Sequence, residues 1–146
     1  MFESKDTRLS SILIDDILAI DAGGLTSSLT FPEQEHIKYI LLTHGHYDHI
    51  RDIPAFALRN LDRTTNIYAT ETTLDTLTTH FINGTVYPKF TEYPSLENPA
   101  LKLNTIEPLQ PFSIGKYSIL AVPVCHSIPA WGFQITDSEG KSIFFS

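Results

Sequence analysis

The stretch "LLTHGHYDHIRD", residues 41–52, decides how the rest of the chain is read. It places three of the chain's six histidines and an aspartate within six positions, directly after an apolar run. Packing gives no reason to gather them, because imidazole is costly to bury unpaired and adjacent imidazoles repel once protonated. On this chain's own composition a random H-x-H-x-D-H is expected in on the order of one shuffled chain in a thousand. His44 and His46 stand two apart just past a predicted strand. In extended backbone such positions point to the same side, so both rings reach one point in space. Asp48 and His49 follow at the turn into a helix, where the chain changes direction and aims a second pair at a neighbouring point. Gly45 between the first two permits a close backbone approach.

Imidazole nitrogen together with carboxylate oxygen suits zinc, and equally manganese or iron(II). A set of this kind leaves coordination positions for water, the mark of a catalytic site, whereas structural zinc prefers cysteine and a closed shell. Cys125 is the single cysteine, which excludes a disulfide within the chain and a thiolate-rich zinc knuckle. One reduced thiol fits a cytoplasmic setting. At 146 residues, 42% hydrophobic and 18% charged, the chain has the size and balance of a single domain with one core. A net charge of −7 argues against a sequence-independent grip on nucleic acid. The N-terminal "MFESKDTRLSS" carries no charged-then-apolar leader pattern, and no apolar run approaches the roughly 20 residues that span a bilayer.

Outward from the cluster, "SILIDDILAIDAGG" reads as a hairpin of Ile12–Ile14 and Ile17–Ile20 hinged at Asp15-Asp16 and closed by Gly23-Gly24. "HIKYILLT", 36–43, is almost continuously apolar, the pattern of a strand covered on both faces. Ile50, Ile53, Ala57 and Leu61 recur at helical spacing, with Pro54 tolerated in a helix that starts near Asp52. "NIYAT" predicts a strand, and "ETTLDTLTTHFING" a helix ended by Gly84. Residues 85–100, with three prolines, form a loop or lid; "LKLNTI", "YSILAVPVC", "WGFQIT" and "KSIFFS" are later strands. Strands bracketing helices on a mixed sheet give an α/β (layered α+β) domain. The chain stops at Ser146 inside an apolar strand, which points to an incomplete chain, with an edge strand at the true end as the alternative.

"THGHYDHI" resembles the T-H-x-H-x-D-H signature of the metallo-β-lactamase fold superfamily of metal-dependent hydrolases. "ILAIDAGG" resembles the superfamily's strand ending in D-x-G, and "VPVCHSIPAWGFQI" its segment bearing a third histidine, here His126. Within the superfamily, "LLTHGHYDHIRDIPAF" and "HSIPAWGFQI" look most like the class II cyclic-nucleotide phosphodiesterase branch. The resemblance implies an αββα sandwich of which this chain holds the N-terminal half to two-thirds. It implies His44, His46 and His126 at one divalent ion, and Asp48 and His49 at a second, with Asp48 also orienting the water between them. Asp21 would hydrogen-bond toward the ligands, against the plainer reading of a turn aspartate at a strand end. The superfamily's bridging carboxylate, in a Gly-Asp pair after a strand like "KSIFFS", has no counterpart before Ser146, which would weaken the second ion.

The implied chemistry is hydrolysis by metal-activated water of a small-molecule substrate, a phosphodiester first and a cyclic nucleotide among the options. Hydrolysis of a thioester, ester or lactam is the alternative, and a catalytically incomplete metal-binding fragment is the third. A homodimer is left open. His36, at the start of a strand, and His80, late in a helix, read as surface or cap residues. Cys125 should point away from the metal as a buried small hydrophobe, Trp131 and Phe133 should pack in the core, and Tyr47 should face the pocket mouth.

Overall fold

Alternation along the strands sets the layers of the computed structural model, which describes residues 3–146; the first two residues of the stretch read for a leader lie outside them. β1 (Ile12–Ile14) and β2 (Leu18–Ile20) pair antiparallel around Asp15 and Asp16, whose φ angles are 48° and 60°. Left-handed turn residues match the twist of a hairpin, and aspartate tolerates that conformation. β3 (Tyr39–Leu41), β4 (Thr65–Ala69) and β5 (Leu101–Thr105) then add in parallel, giving one sheet in the order β1-β2-β3-β4-β5. Ala19, Ile40, Leu42 and Ile67 on one face pack with Leu25, Ile53, Phe56 and Leu74 of the helical layer. Leu18, Ile20 and Leu41 on the other face pack with Ile114, Ile119, Ala121 and Phe133 of a second sheet. Covering both faces is why residues 40–42 read as an unbroken apolar run.

The second sheet is antiparallel, with β6 (Phe112–Ile114), β7 (Tyr117–Val124), β8 (Ala130–Thr136) and β9 (Ser142–Phe145) in that order. Among the described residues, five helices complete the layers: α1 (Leu25–Ser28), α2 (Phe31–His36), α3 (Tyr47–Ile50), α4 (Ile53–Arg59) and α5 (Glu71–His80). The protein is thus an α/β domain of helices, sheet and sheet, in agreement with the layered fold expected from its motif. No helix among the described residues is long and apolar enough to cross a membrane.

Several boundaries differ from the sequence reading. The segment before β3 is helical, so His36 ends α2 and does not open a strand. A reciprocal cap holds that helix, with Glu33 accepting from the Thr30 backbone N–H and hydroxyl, both at 2.7 Å, and Pro32 in the first turn. α5 stops at His80, short of Gly84, whose φ of +87° instead turns the loop beyond. β6, three residues long, is not among the strands expected from the sequence. Residues 85–100 carry neither helix nor strand, only an isolated bridge between Pro94 and Pro99.

Candidate metal centre

The motif turn is clamped from below. Past β2, the backbone runs under α3: Ala22 N–H donates to the His49 carbonyl at 2.7 Å and Asp52 N–H to the Ala22 carbonyl at 2.8 Å. A Cβ on Gly23 would lie 1.7 Å from the Asp48 carbonyl oxygen, so only glycine permits this approach. The buried Asp52 carboxylate accepts from the Thr26 backbone and hydroxyl, each at 2.8 Å, and from Arg51 Nε at 2.8 Å. That ties α1 to the turn. Gly45 is also crowded, its absent Cβ lying 3.0 Å from the Thr76 side chain on α5.

His126 arrives from the other sheet. β8 meets the motif strand where Trp131 N–H donates to the Thr43 carbonyl at 3.1 Å, which brings the β7–β8 loop over the histidines. His44 Nε2 lies 3.1 Å from His46 Nδ1, and His126 Nε2 lies 3.0 Å from the same atom. The donor atoms of the three all fall within 4.8 Å of one another. Two nitrogens held tetrahedrally at zinc–nitrogen distances of 2.0–2.1 Å sit roughly 3.3 Å apart. Two of the three nitrogen pairs already stand near that spacing and the third within 4.8 Å, so the three imidazoles fit a divalent ion. Burial, with the neighbouring imidazoles adding to it, depresses the His44 pKa to about 4, which keeps its ring neutral and its lone pair free at pH 7.

Asp48 and His49 form the adjacent pair, with His49 Nε2 3.7 Å from Asp48 Oδ2. Asp21 reaches both parts of the cluster. It is fully buried, with a left-handed φ of 59°, and accepts His49 Nδ1 at 2.6 Å and the Thr43 backbone N–H at 2.9 Å. Burial pushes the His49 pKa down, but the Asp21 hydrogen bond and charge outweigh it, and the net shift is upward. Burial raises the Asp48 carboxyl, yet the charge of His49 and a backbone donor prevail and hold it below the ordinary carboxylate value. All six residues singled out in the sequence therefore gather at one end of the two sheets.

A cavity of about 410 Å³ opens on the cluster, lined by Ser10, Thr43, His44, His49, Val124, Cys125, His126, Ala130, Trp131, Phe145 and Ser146. Cys125 departs from expectation: it is exposed and lines the cavity beside His126. β7 ends at Val124, so the strand rule that turns neighbours apart no longer applies. Phe133 is fully buried as expected, whereas Trp131 is half-buried on the cavity wall and its Nε1 lacks a partner among the described residues. Tyr47 is exposed and packs edge-on against Phe81 at 6.0 Å, outside that lining. His36 and His80 are exposed and lie outside the cluster. The residue that sequence reasoning passed over is Thr43. It stands two residues past β3 and immediately before His44, a buried polar position that the motif itself spells out.

A family model described as the beta-lactamase superfamily domain matches residues 11–146, and the chain belongs to that family. Among solved structures, the metallo-beta-lactamase fold protein YhfI from Bacillus subtilis superposes with a TM-score of 0.76 at 21% identity, over 98% of this chain and 56% of YhfI. Unliganded yeast PDE1 superposes with a TM-score of 0.69 at 19% identity, over 78% of this chain and 35% of PDE1. These likenesses show the shared metallo-β-lactamase fold. A curated relative, the octanoyltransferase of Porphyromonas gingivalis (strain ATCC BAA-308 / W83), is 26% identical over 136 residues. The match covers 90% of this chain and 27% of that protein. The chain thus spans about half the length of YhfI and about a quarter of the curated relative.

Proposed function

We propose that the domain is a metal-dependent hydrolase acting on a small phosphodiester, with His44, His46 and His126 holding one divalent ion and Asp48 and His49 a second. The observation that carries this is the convergence of three imidazole nitrogens within 4.8 Å beside a carboxylate and a fourth imidazole. Zinc suits this donor set, and manganese or iron(II) would be held by the same atoms. When bound, a pair of such ions supplies a water of lowered pKa and stabilises entering and leaving oxygens, which suits displacement at phosphorus.

The chain's own residues do the rest. His44 stays neutral and so offers a lone pair at pH 7. Asp21 fixes the His49 ring through Nδ1 and turns Nε2 toward Asp48. Asp48, ionised, accepts a hydrogen bond from the attacking water and orients it. The apolar wall of Val124, Ala130 and Phe145 excludes water from one side of the cavity. The resemblance of "LLTHGHYDHIRDIPAF" and "HSIPAWGFQI" to the class II cyclic-nucleotide phosphodiesterase branch supports phosphorus chemistry, with a cyclic nucleotide as one option. The single exposed thiol supports a reducing, cytoplasmic setting.

A second reading, hydrolysis of a thioester, ester or lactam, has that apolar wall and the acyl-transfer name of the P. gingivalis relative on its side. Zinc-loaded protein incubated in parallel with bis(4-nitrophenyl) phosphate and with an acyl thioester separates them. Turnover of the diester alone is the expected result, and turnover of the thioester alone selects the second reading. No bound ion after dialysis against zinc defeats both and leaves an inactive fragment.

A further inference from the structure

Thr43 Oγ1 stands between the two parts of the cluster. It lies 3.0 Å from Asp21 Oδ1, 2.9 Å from Asp21 Oδ2, 2.9 Å from His44 Nδ1 and 3.3 Å from His49 Nδ1. A hydroxyl has one proton and two lone pairs. Asp21 is fully buried and can only accept while ionised, so the hydroxyl proton goes to it. The remaining Thr43 lone pairs then require a donor, and the nearest is Nδ1–H of His44. Asp21 Oδ2 takes Nδ1–H of His49 directly, at 2.6 Å. Each ring is thereby left with its lone pair on Nε2, the atom that His44 turns toward His46 and that His49 turns toward Asp48.

We propose that the Thr43 hydroxyl is a positioning group that relays Asp21's control to His44, so that one buried carboxylate sets the tautomer of one histidine in each metal site. The relay rests on the ligand assignment of the proposed function. It is asymmetric: His49 has its own bond to the carboxylate, while His44 reaches it only through Thr43. The backbone N–H of Thr43 also donates to Asp21 at 2.9 Å, which keeps residue 43 beside the carboxylate when the hydroxyl is removed.

Zinc affinity of the whole chain, measured by competition with a chromophoric chelator, tests this, with ring nitrogen NMR assigning each loading step to His44 or His49. Thr43→Val, nearly the same shape without the hydroxyl, is expected to weaken the step that loads His44 by about 10–100-fold and to leave the His49 step nearly unchanged. Thr43→Ser is expected to restore it, and Asp21→Asn to weaken both steps. Wild-type affinity in Thr43→Val, or equal weakening of both steps, overturns the relay. A second readout needs no variant: zinc-loaded wild type should carry protons on Nδ1 of both His44 and His49, and zinc on Nδ1 of His44 overturns the relay. If wild type takes up no zinc, the ligand assignment itself fails and the relay with it, whereas two bound zincs with an indifferent Thr43→Val variant overturn the relay alone.

Discussion

The first sheet is covered on both faces and the second on one. Ile40, Leu41 and Leu42 are consecutive and fully buried, whereas on the second sheet Phe133 is fully buried but Phe144 and Ile143, on the outermost strand, are 58% and 50% exposed. The donors proposed above divide along the same line. His44, His46, Asp48 and His49 come from the doubly covered layer, and His126 alone from the other. Four of these side chains are thus fixed by the larger core, and the position of the fifth depends on how the second sheet docks.

The sharpest way to break this comparison is a pair of phenylalanines on adjacent strands of the second sheet. Phe133→Ala removes a fully buried ring from the seam between the sheets and should cost about 3–5 kcal/mol. Phe144→Ala removes a largely exposed ring and should change stability by no more than about 0.5 kcal/mol. Denaturant titration of the two variants measures both. Comparable costs would mean that the outer face of this sheet is packed in solution.

Gly23→Ala tests the other layer. The new Cβ meets the Asp48 carbonyl at 1.7 Å and Leu9 at 2.9 Å, so the backbone must part. Overpacking of this kind costs about 1–3 kcal/mol. Because the displaced carbonyl belongs to the motif turn, zinc bound per chain should fall together with the melting temperature. A stable variant with full zinc content would show that the turn adjusts without moving its donors.

Legibility follows the same division. Hairpin, buried strand and histidine cluster were readable because each carries a local signal: paired aspartates, an unbroken apolar run, and histidines two apart. α2 also had a signal, Thr30 with Glu33 three residues on and Pro32 between, but the apolar residues that follow pulled His36 toward the strand. Cys125 was misplaced because alternation was carried one residue beyond the end of β7. No local pattern could show that Trp131 N–H would find the Thr43 carbonyl, since that contact depends on sheet docking across 88 positions of sequence.

The two sheets are tied at both ends of β7, and the end far from the cluster gives a smaller effect. Tyr117 hydroxyl donates to Asp15 Oδ2 at 2.5 Å, joining β7 to the β1–β2 turn. Burial, then the Asp15 hydrogen bond and charge, lift the Tyr117 pKa from the ordinary 10 to about 12. A raised folded pKa means that the protonated phenol stabilises the fold below pH 10, and that this contribution disappears as pH rises through about 12. Tyr117→Phe should cost about 0.5–1.5 kcal/mol near neutrality. The gap between wild type and variant should close across the alkaline window. A gap that stays constant there would place the phenol's bond outside the stability of the fold.

His126→Ala should disturb the fold as little as Phe144→Ala does, although it removes the donor proposed for the second sheet. His126 is exposed and lies in a loop, so truncation should shift stability by no more than about 0.5 kcal/mol in metal-free protein. His46 Nδ1 has His44 Nε2 on one side and His126 Nε2 on the other, and the variant leaves only the first pair. Zinc should therefore be held more weakly at His44 and His46, while Asp48 and His49 keep their own contacts. Calorimetric zinc titration alongside metal-free melting curves reads both quantities from one sample. Unchanged zinc affinity would show that the doubly covered layer binds the ion by itself, and that the second sheet brings the cavity wall but no ligand.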